Sequence, residues 1–317
     1  MKEDEKKMDE LLNQLLDKDR YTLNEIVNNF QKDIPQFLYK YRSFYNEDGS
    51  ENEYWKDYLL GKFHLNVANN FEDVNDCKPF FDRDKLINIM IDEIIDKTSN
   101  NQLKKKFISE YIIKNDENIM NEIHKYIKKV EENYKKIHIG CFTNTNKNDE
   151  MWKKYADNYQ GFCIEYNIEE HERLKDSILH VCYVKEKDRK KYVDKTDIVK
   201  RLIKHEPLSL IDQKDIFNLL FIKTDDWSFE KEYRLFLLEH RTMNDKSMLK
   251  RKDVLDSNNN INLASAIRAI YLGKDFEQNN NYKEIKEQVM EIASKRNISV
   301  YKINKNNECI TILNNKE

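Results

Sequence analysis

Glycine and proline are scarce: the 317 residues hold five of the first and three of the second. Turns must therefore draw on Asn, Asp and Ser, whose side chains bond their own backbone. Gly140, Gly161 and Gly273 stand alone, so the clustered glycines of a dinucleotide or P-loop cradle are missing. There is no G-x-S-x-G elbow, which argues against a serine hydrolase. The five cysteines, Cys77, Cys141, Cys163, Cys182 and Cys309, are odd in number and show no C-x-x-C spacing. That pattern fits neither a zinc ribbon nor a secreted disulfide framework. Seven histidines include no H-x-x-x-H pair, so no metal is expected. No apolar run approaches the ~20 residues that span a bilayer. The opening MKEDEKKMDELLNQLL lacks an apolar signal core, so a cytoplasmic protein without a membrane partner is expected.

An excess of one charge is also lacking. Lys and Arg number 55 against 58 Asp and Glu, a formal net charge of −3. There is no global field to hold nucleic acid. Local basic runs, Lys104-Lys105-Lys106 and Lys185 to Lys191, read as solvated faces. What is present is patterning: aromatics reach 11%, and that content with regular apolar spacing indicates a folded chain.

Along the chain, Glu3 to Phe30 has helical spacing, with Thr22 to Glu25 as a capping box. Pro35 ends that region. FLYKYRSF (Phe37 to Phe44) alternates as a strand, Glu51 to Leu60 reads as a short helix, and Lys62 to Val67 as a second strand. Lys85 to Lys136 is helical, with a break at Thr98 to Asn101 and another near Asn115-Asp116. Strands follow at IHIGCFT, FCIEYNI, LHVCYV, IRAIYLG and ISVYKI. Helices are expected over EMWKKYADNY, with Asp149 as N-cap and Gly161 as C′ residue, over Asp194 to Phe221 around Pro207, and over Tyr282 to Arg296. The irregular alternation favours an α+β fold with a mixed, mostly antiparallel sheet. Residues 1–34 read as an N-terminal helical segment, and 35–317 as one α+β domain with a helical insert at about 84–136.

The chemistry concentrates in DDWSFEKEYRLFLLE, Asp225 to Glu239. Read as a strand from Ser228, one face carries Glu230, Glu232, Arg234, Phe236 and Leu238. Two carboxylates then stand where a buried strand surfaces. Either Glu232 and Arg234 are an ion pair holding the strand edge, or the glutamates line a cleft. In the first strand, Tyr39, Tyr41 and Ser43 share one face and Lys40 and Arg42 the other. The guanidinium of Arg42 suits a phosphate, or a carboxylate such as Glu230 or Glu232. Met151, Tyr155 and Tyr159 form a helical stripe beside Trp152, which serves either a core or ring stacking on a ligand. Thr143, Asn144 and Thr145 end a strand in groups that orient a ribose or form a turn.

Four pieces, LYKYRSF, FEDVND, CFTNTNKNDEMWKKYADNYQGFCIEY and WSFEKEYRLF, occur in order. Together they resemble the bacterial domain-of-unknown-function family 2971, over roughly Phe37 to the C-terminus outside the helical insert. In the loop, Phe71 and Asp73 match the family pattern and Val74 replaces its proline. The order Arg42, then Cys141-Phe142-Thr143, then Glu230-Lys231-Glu232 also resembles the ADP-ribosyltransferase fold. This second resemblance implies NAD as substrate. Glu232 would steady an oxocarbenium-like transition state and Glu230 would orient or deprotonate the acceptor. Arg42 would hold the diphosphate or ribose. Tyr155 or Trp152 would pack on the nicotinamide, with Tyr41, Thr143 and Arg234 completing the site. The acceptor would be an undefined protein or nucleic acid, and the context a phage-defence or abortive-infection toxin, by analogy alone. The alternatives are a non-catalytic binding or regulatory module with a structural ion network, and a nucleic-acid-directed effector.

Overall fold

A computed structural model describes residues 2–17, 23–68, 70–71, 73, 75–98, 116–134, 137–171, 174–207, 218–238, 254–279, 281–304, 306 and 308–313. The helices are α1 (Lys2–Leu16), α2 (Leu23–Gln31), α3 (Trp55–Leu59), α4 (Arg83–Thr98), α5 (Asp116–Tyr134), α6 (Asp149–Tyr155), α7 (Glu186–Val193), α8 (Thr196–Ile203) and α9 (Tyr282–Lys295). The strands are β1 (Phe37–Arg42), β2 (Lys62–His64), β3 (Asn66–Val67), β4 (Ile137–Thr143), β5 (Phe162–Asn167), β6 (Ile178–His180) and β7 (Cys182–Val184). They continue as β8 (Ile222–Thr224), β9 (Glu232–Leu238), β10 (Asn260–Asn262), β11 (Ile267–Leu272), β12 (Ser299–Ile303) and β13 (Cys309–Leu313). The fold is α+β, with a mixed and mostly antiparallel sheet.

The chain divides into two compact units. The first gathers residues 1–29, 67–137 and 182–225. In it α4, α5 and α8 pack on one another, and β7 runs parallel to β8. Its cores are the apolar stripes of amphipathic helices, such as Ile198, Val199 and Ile203 of α8 and Ile119, Ile123 and Val130 of α5. α4 ends at Thr98, where a break was expected; the rest of that break, 99–101, the one at Asn115, the Thr22 cap and the stretch 208–217 lie outside the described residues.

The second unit gathers 30–66, 138–181 and 226–317. Its sheet runs β13-β12-β11-β5-β1-β4-β9-β6. β11 and β12 pair in parallel, whereas β1–β4, β1–β5, β5–β11, β6–β9 and β12–β13 are antiparallel. Alternation sorts side chains onto two faces. On the first, Leu38, Phe142, Phe162, Ile164, Tyr166, Tyr233, Leu235 and Leu237 pack with Trp55 and Leu59 of α3 and with Ile285, Val289 and Ala293 of α9. On the second, Tyr41, Cys163, Ala269 and Tyr271 pack with Met151 and Trp152 of α6 and with Tyr159.

Several local expectations need correction. LHVCYV is two strands in different sheets, β6 and β7. The helix from Glu51 reduces to Trp55–Leu59, and Lys62 to Val67 divides into β2 and β3. The N-cap of α6 is Asn148, not Asp149: its side chain accepts from the amides of Glu150 and Met151. The helix ends at Tyr155, and Asp157, Asn158 and Tyr159 follow with positive φ. Gly161 is therefore no helix C′ residue. A Cβ there would lie 2.2 Å from the Arg42 carbonyl oxygen, so close backbone approach is what requires glycine. The strand β13 had no expectation behind it.

Candidate functional site

The strand expected from Ser228 begins at Glu232 instead. Asp225–Glu230 is a 3-10 turn, and Lys231 takes φ 45° before β9 starts. That left-handed residue breaks the alternation, so Glu230 reaches its position from the turn and not from the strand. Tyr233, Leu235 and Leu237 belong to the first-face core. Glu232, Arg234 and Phe236 therefore point to the second face.

Glu232 is closed against Arg234. Nε of Arg234 donates to Oε1 at 2.7 Å and Nη2 donates to Oε2 at 3.2 Å, with both residues at most 3% exposed. This is a two-pronged pair of the kind that compensates buried charge. The Cys141 thiol lies on the same face of β4, within electrostatic reach of Glu232. Burial and the negative charge of Glu232 push that thiol pKa well up, so it stays protonated.

Glu230 is also buried, and the Tyr155 hydroxyl donates to its Oε1. Asn148 joins the two motifs: while capping α6 it donates from Nδ2 to the carbonyl of Phe229. Lys154 stands 3.8 Å from the centre of the Trp227 ring, a cation–π contact on the same rim.

Arg42 goes elsewhere. It shares the first face with Leu38 and Lys40, and its guanidinium lies 4.5 Å from the centre of the Tyr58 ring. Its Nε is buried and has no hydrogen-bond partner among the described residues. Neither glutamate is its partner, because both point to the opposite face of the sheet or stand in the turn leading to it. Lys40, its neighbour on that face, donates to the Cys141 carbonyl at 2.6 Å. Burial lowers the Lys40 pKa to about 8, helped by the charge of Arg42 and opposed by Glu232 and Glu230.

The remaining candidates are interior groups. Trp152 is 1% exposed, donates from Nε1 to the Asn146 carbonyl at 2.8 Å, and stacks on Tyr159 at 5.4 Å. Tyr41 meets Trp152 edge-on at 5.0 Å, and its hydroxyl donates to the Thr145 carbonyl at 2.9 Å. Thr143 is buried and lies in register with Tyr39. The fold thus brings together Glu232 with Arg234, Glu230 with Tyr155, and Tyr41 with Trp152, while Arg42 stands apart. Sequence reasoning missed Cys141 and Asn148 as neighbours of the charged motif, and Tyr58 as the ring on which Arg42 lies. Only Asn148 carried a readable signal, as an N-cap residue type directly before an acidic first turn.

Among the described residues, no group of three or more His, Cys, Asp or Glu could hold a metal ion. No helix among them is long and apolar enough to cross a membrane. No curated protein and no solved structure gives a match to the chain. Residues 151–235, from Met151 in α6 to Leu235 in β9, match the family model described as "Protein of unknown function (DUF2971)", so it is over this stretch that the chain is similar to that family.

Proposed function

We propose that the chain acts as a non-catalytic binding or regulatory module in which the Glu-x-Glu-x-Arg stretch is structural. One observation carries this reading: Glu232 is buried in a two-pronged pair with Arg234, and Arg42 lies on the opposite face of the sheet. A carboxylate that must stabilise a developing positive charge needs access to the reacting atoms. Glu232 has its two oxygens engaged by Arg234 and is 3% exposed.

A second reading, ADP-ribosyl transfer from NAD to a macromolecular acceptor, draws support from Glu230. Its carboxylate and the Tyr155 phenol meet at the end of the turn that enters β9. On that reading Glu230 would serve the acceptor, and a phage-defence role would follow by analogy alone.

The test is nicotinamide release from NAD by the purified full chain, wild type and Glu232→Gln, with protein and nucleic-acid acceptors present. Absence of turnover in both supports the module. Turnover by wild type that falls at least a hundredfold in Glu232→Gln would overturn it and establish the transferase.

A further inference from the structure

The second face of the sheet carries a feature that the charged motif does not use. Glu165 of β5 sits in register with Tyr39 of β1 on one side and Ala269 of β11 on the other. Tyr271 of β11 and Tyr301 of β12 are themselves paired in register. The Tyr271 hydroxyl donates to Oε2 of Glu165 at 2.8 Å, and Tyr39 stands in register beside this carboxylate. The rings of Tyr271 and Tyr301 stack at 5.2 Å, and Tyr39 leans toward Tyr271 at 6.4 Å. Tyr39, Glu165 and Tyr301 are each half-buried, so the cluster reaches the surface.

Glu165 forms no ion pair with any described Lys, Arg or His, unlike Glu232, which has Arg234 beside it. A half-buried carboxylate without a cation is costly unless one arrives. The Tyr271 phenol occupies part of its acceptor capacity and leaves further lone pairs free. The tyrosine rings supply electron-rich faces that attract an organic cation. Burial and Glu165 itself raise the pKa of both Tyr39 and Tyr271, so the two phenols stay protonated and do not add negative charge.

From this geometry we propose that Tyr39, Glu165, Tyr271 and Tyr301 form a binding site for a primary ammonium group. Glu165 accepts its N–H donors and the tyrosine rings enclose its alkyl stem. A free alkylamine and a lysine side chain present the same chemistry. The proposal rests on the binding-module reading, but NAD turnover would overturn that reading without touching this titration.

The experiment is a calorimetric titration of the full chain with n-butylammonium chloride, and separately with a lysine-containing peptide, against sodium chloride at matched ionic strength. Saturable binding of either probe, weakened at least tenfold by Glu165→Gln and severalfold by Tyr301→Leu, is the expected result. Binding of the peptide alone assigns the site to a protein partner, and binding of both extends it to free amines. No saturable heat from either probe, or affinity unchanged in both variants, overturns the proposal. Should Glu165→Gln fail to fold, the half-exposed Tyr301→Leu decides alone.

Discussion

Arg234 holds both carboxylate oxygens of Glu232, two residues away on the same strand, at 2.7 and 3.2 Å. Residues two apart on a strand share a face, so the pair is local in sequence. Its burial is not local. It comes from β4 and β6 flanking β9 in the sheet. The pair therefore behaves as an internal clasp.

Removing one member alone leaves a buried charge unpaired. Arg234→Met is expected to lower the unfolding free energy by about 3–5 kcal/mol. The double change Glu232→Leu with Arg234→Met should recover most of that loss, since apolar replacement of a whole buried pair is often neutral. Urea unfolding of the three proteins measures this. A double variant no more stable than the single one would show that the pair does more than compensate itself.

Tyr155→Phe removes the phenol that donates to buried Glu230. A hydrogen bond to a charged group contributes about 1.5–3 kcal/mol, and a loss in that range is expected. The ring stays, so its packing against the second-face core is kept. A loss below about 0.5 kcal/mol would mean that solvent or another donor replaces the phenol without cost.

Gly161→Ala would place a methyl group 2.2 Å from the Arg42 carbonyl oxygen and 2.9 Å from Cα of Ala156. Backbone must move, at a cost of about 1–3 kcal/mol. Gly273→Ala meets the Tyr159 carbonyl oxygen at 1.9 Å and should cost at least as much. Thermal melts compare both with Gly49→Ala. That position has open space, and only its φ of 80° opposes the change.

Lys40 sets a pH signature. Burial lowers its pKa from 10.5 to about 8 in the folded state. Between those values the unfolded chain binds more protons, so this group makes stability rise with pH from about 8 toward 10.5. Cys141 and Cys163 act oppositely: burial raises their pKa values above 9, so stability falls once the unfolded thiols ionise. The difference in unfolding free energy between wild type and Lys40→Met isolates the lysine. Wild type should gain on the variant as pH rises from 7.5 to 9.5, roughly between the two lysine values. A flat difference would show that Lys40 is already solvated.

Much of the fold was legible because it rests on local periodicity. FLYKYRSF alternates and forms β1, IRAIYLG forms β11, and the apolar spacing from Leu86 to Met90 and from Ile123 to Val130 lies on α4 and α5. The shared face of Glu232 and Arg234 followed from alternation alone. The boundary upstream did not, because Lys231 adopts a left-handed conformation that no spacing encodes. Likewise LHVCYV reads as one run, and only its distant partners, β9 and β8, show that it serves two sheets.

By itself, then, the sequence determined which residues could share a face and which side of each element is apolar, since both follow from backbone geometry one or two turns long. It also placed Arg42 on the face of β1 away from Tyr39 and Tyr41. Tertiary structure decided which face of one strand meets which face of another. Strand order β5-β1-β4-β9 put Tyr41, Cys141, Glu232 and Arg234 on one side of the sheet and left Arg42 on Tyr58 on the other. The same order brought Glu165 under Tyr39 and Tyr271, a cluster drawn from four strands far apart in the chain. Pairing between distant strands depends on total burial over the whole sheet, and no short window of sequence contains that sum.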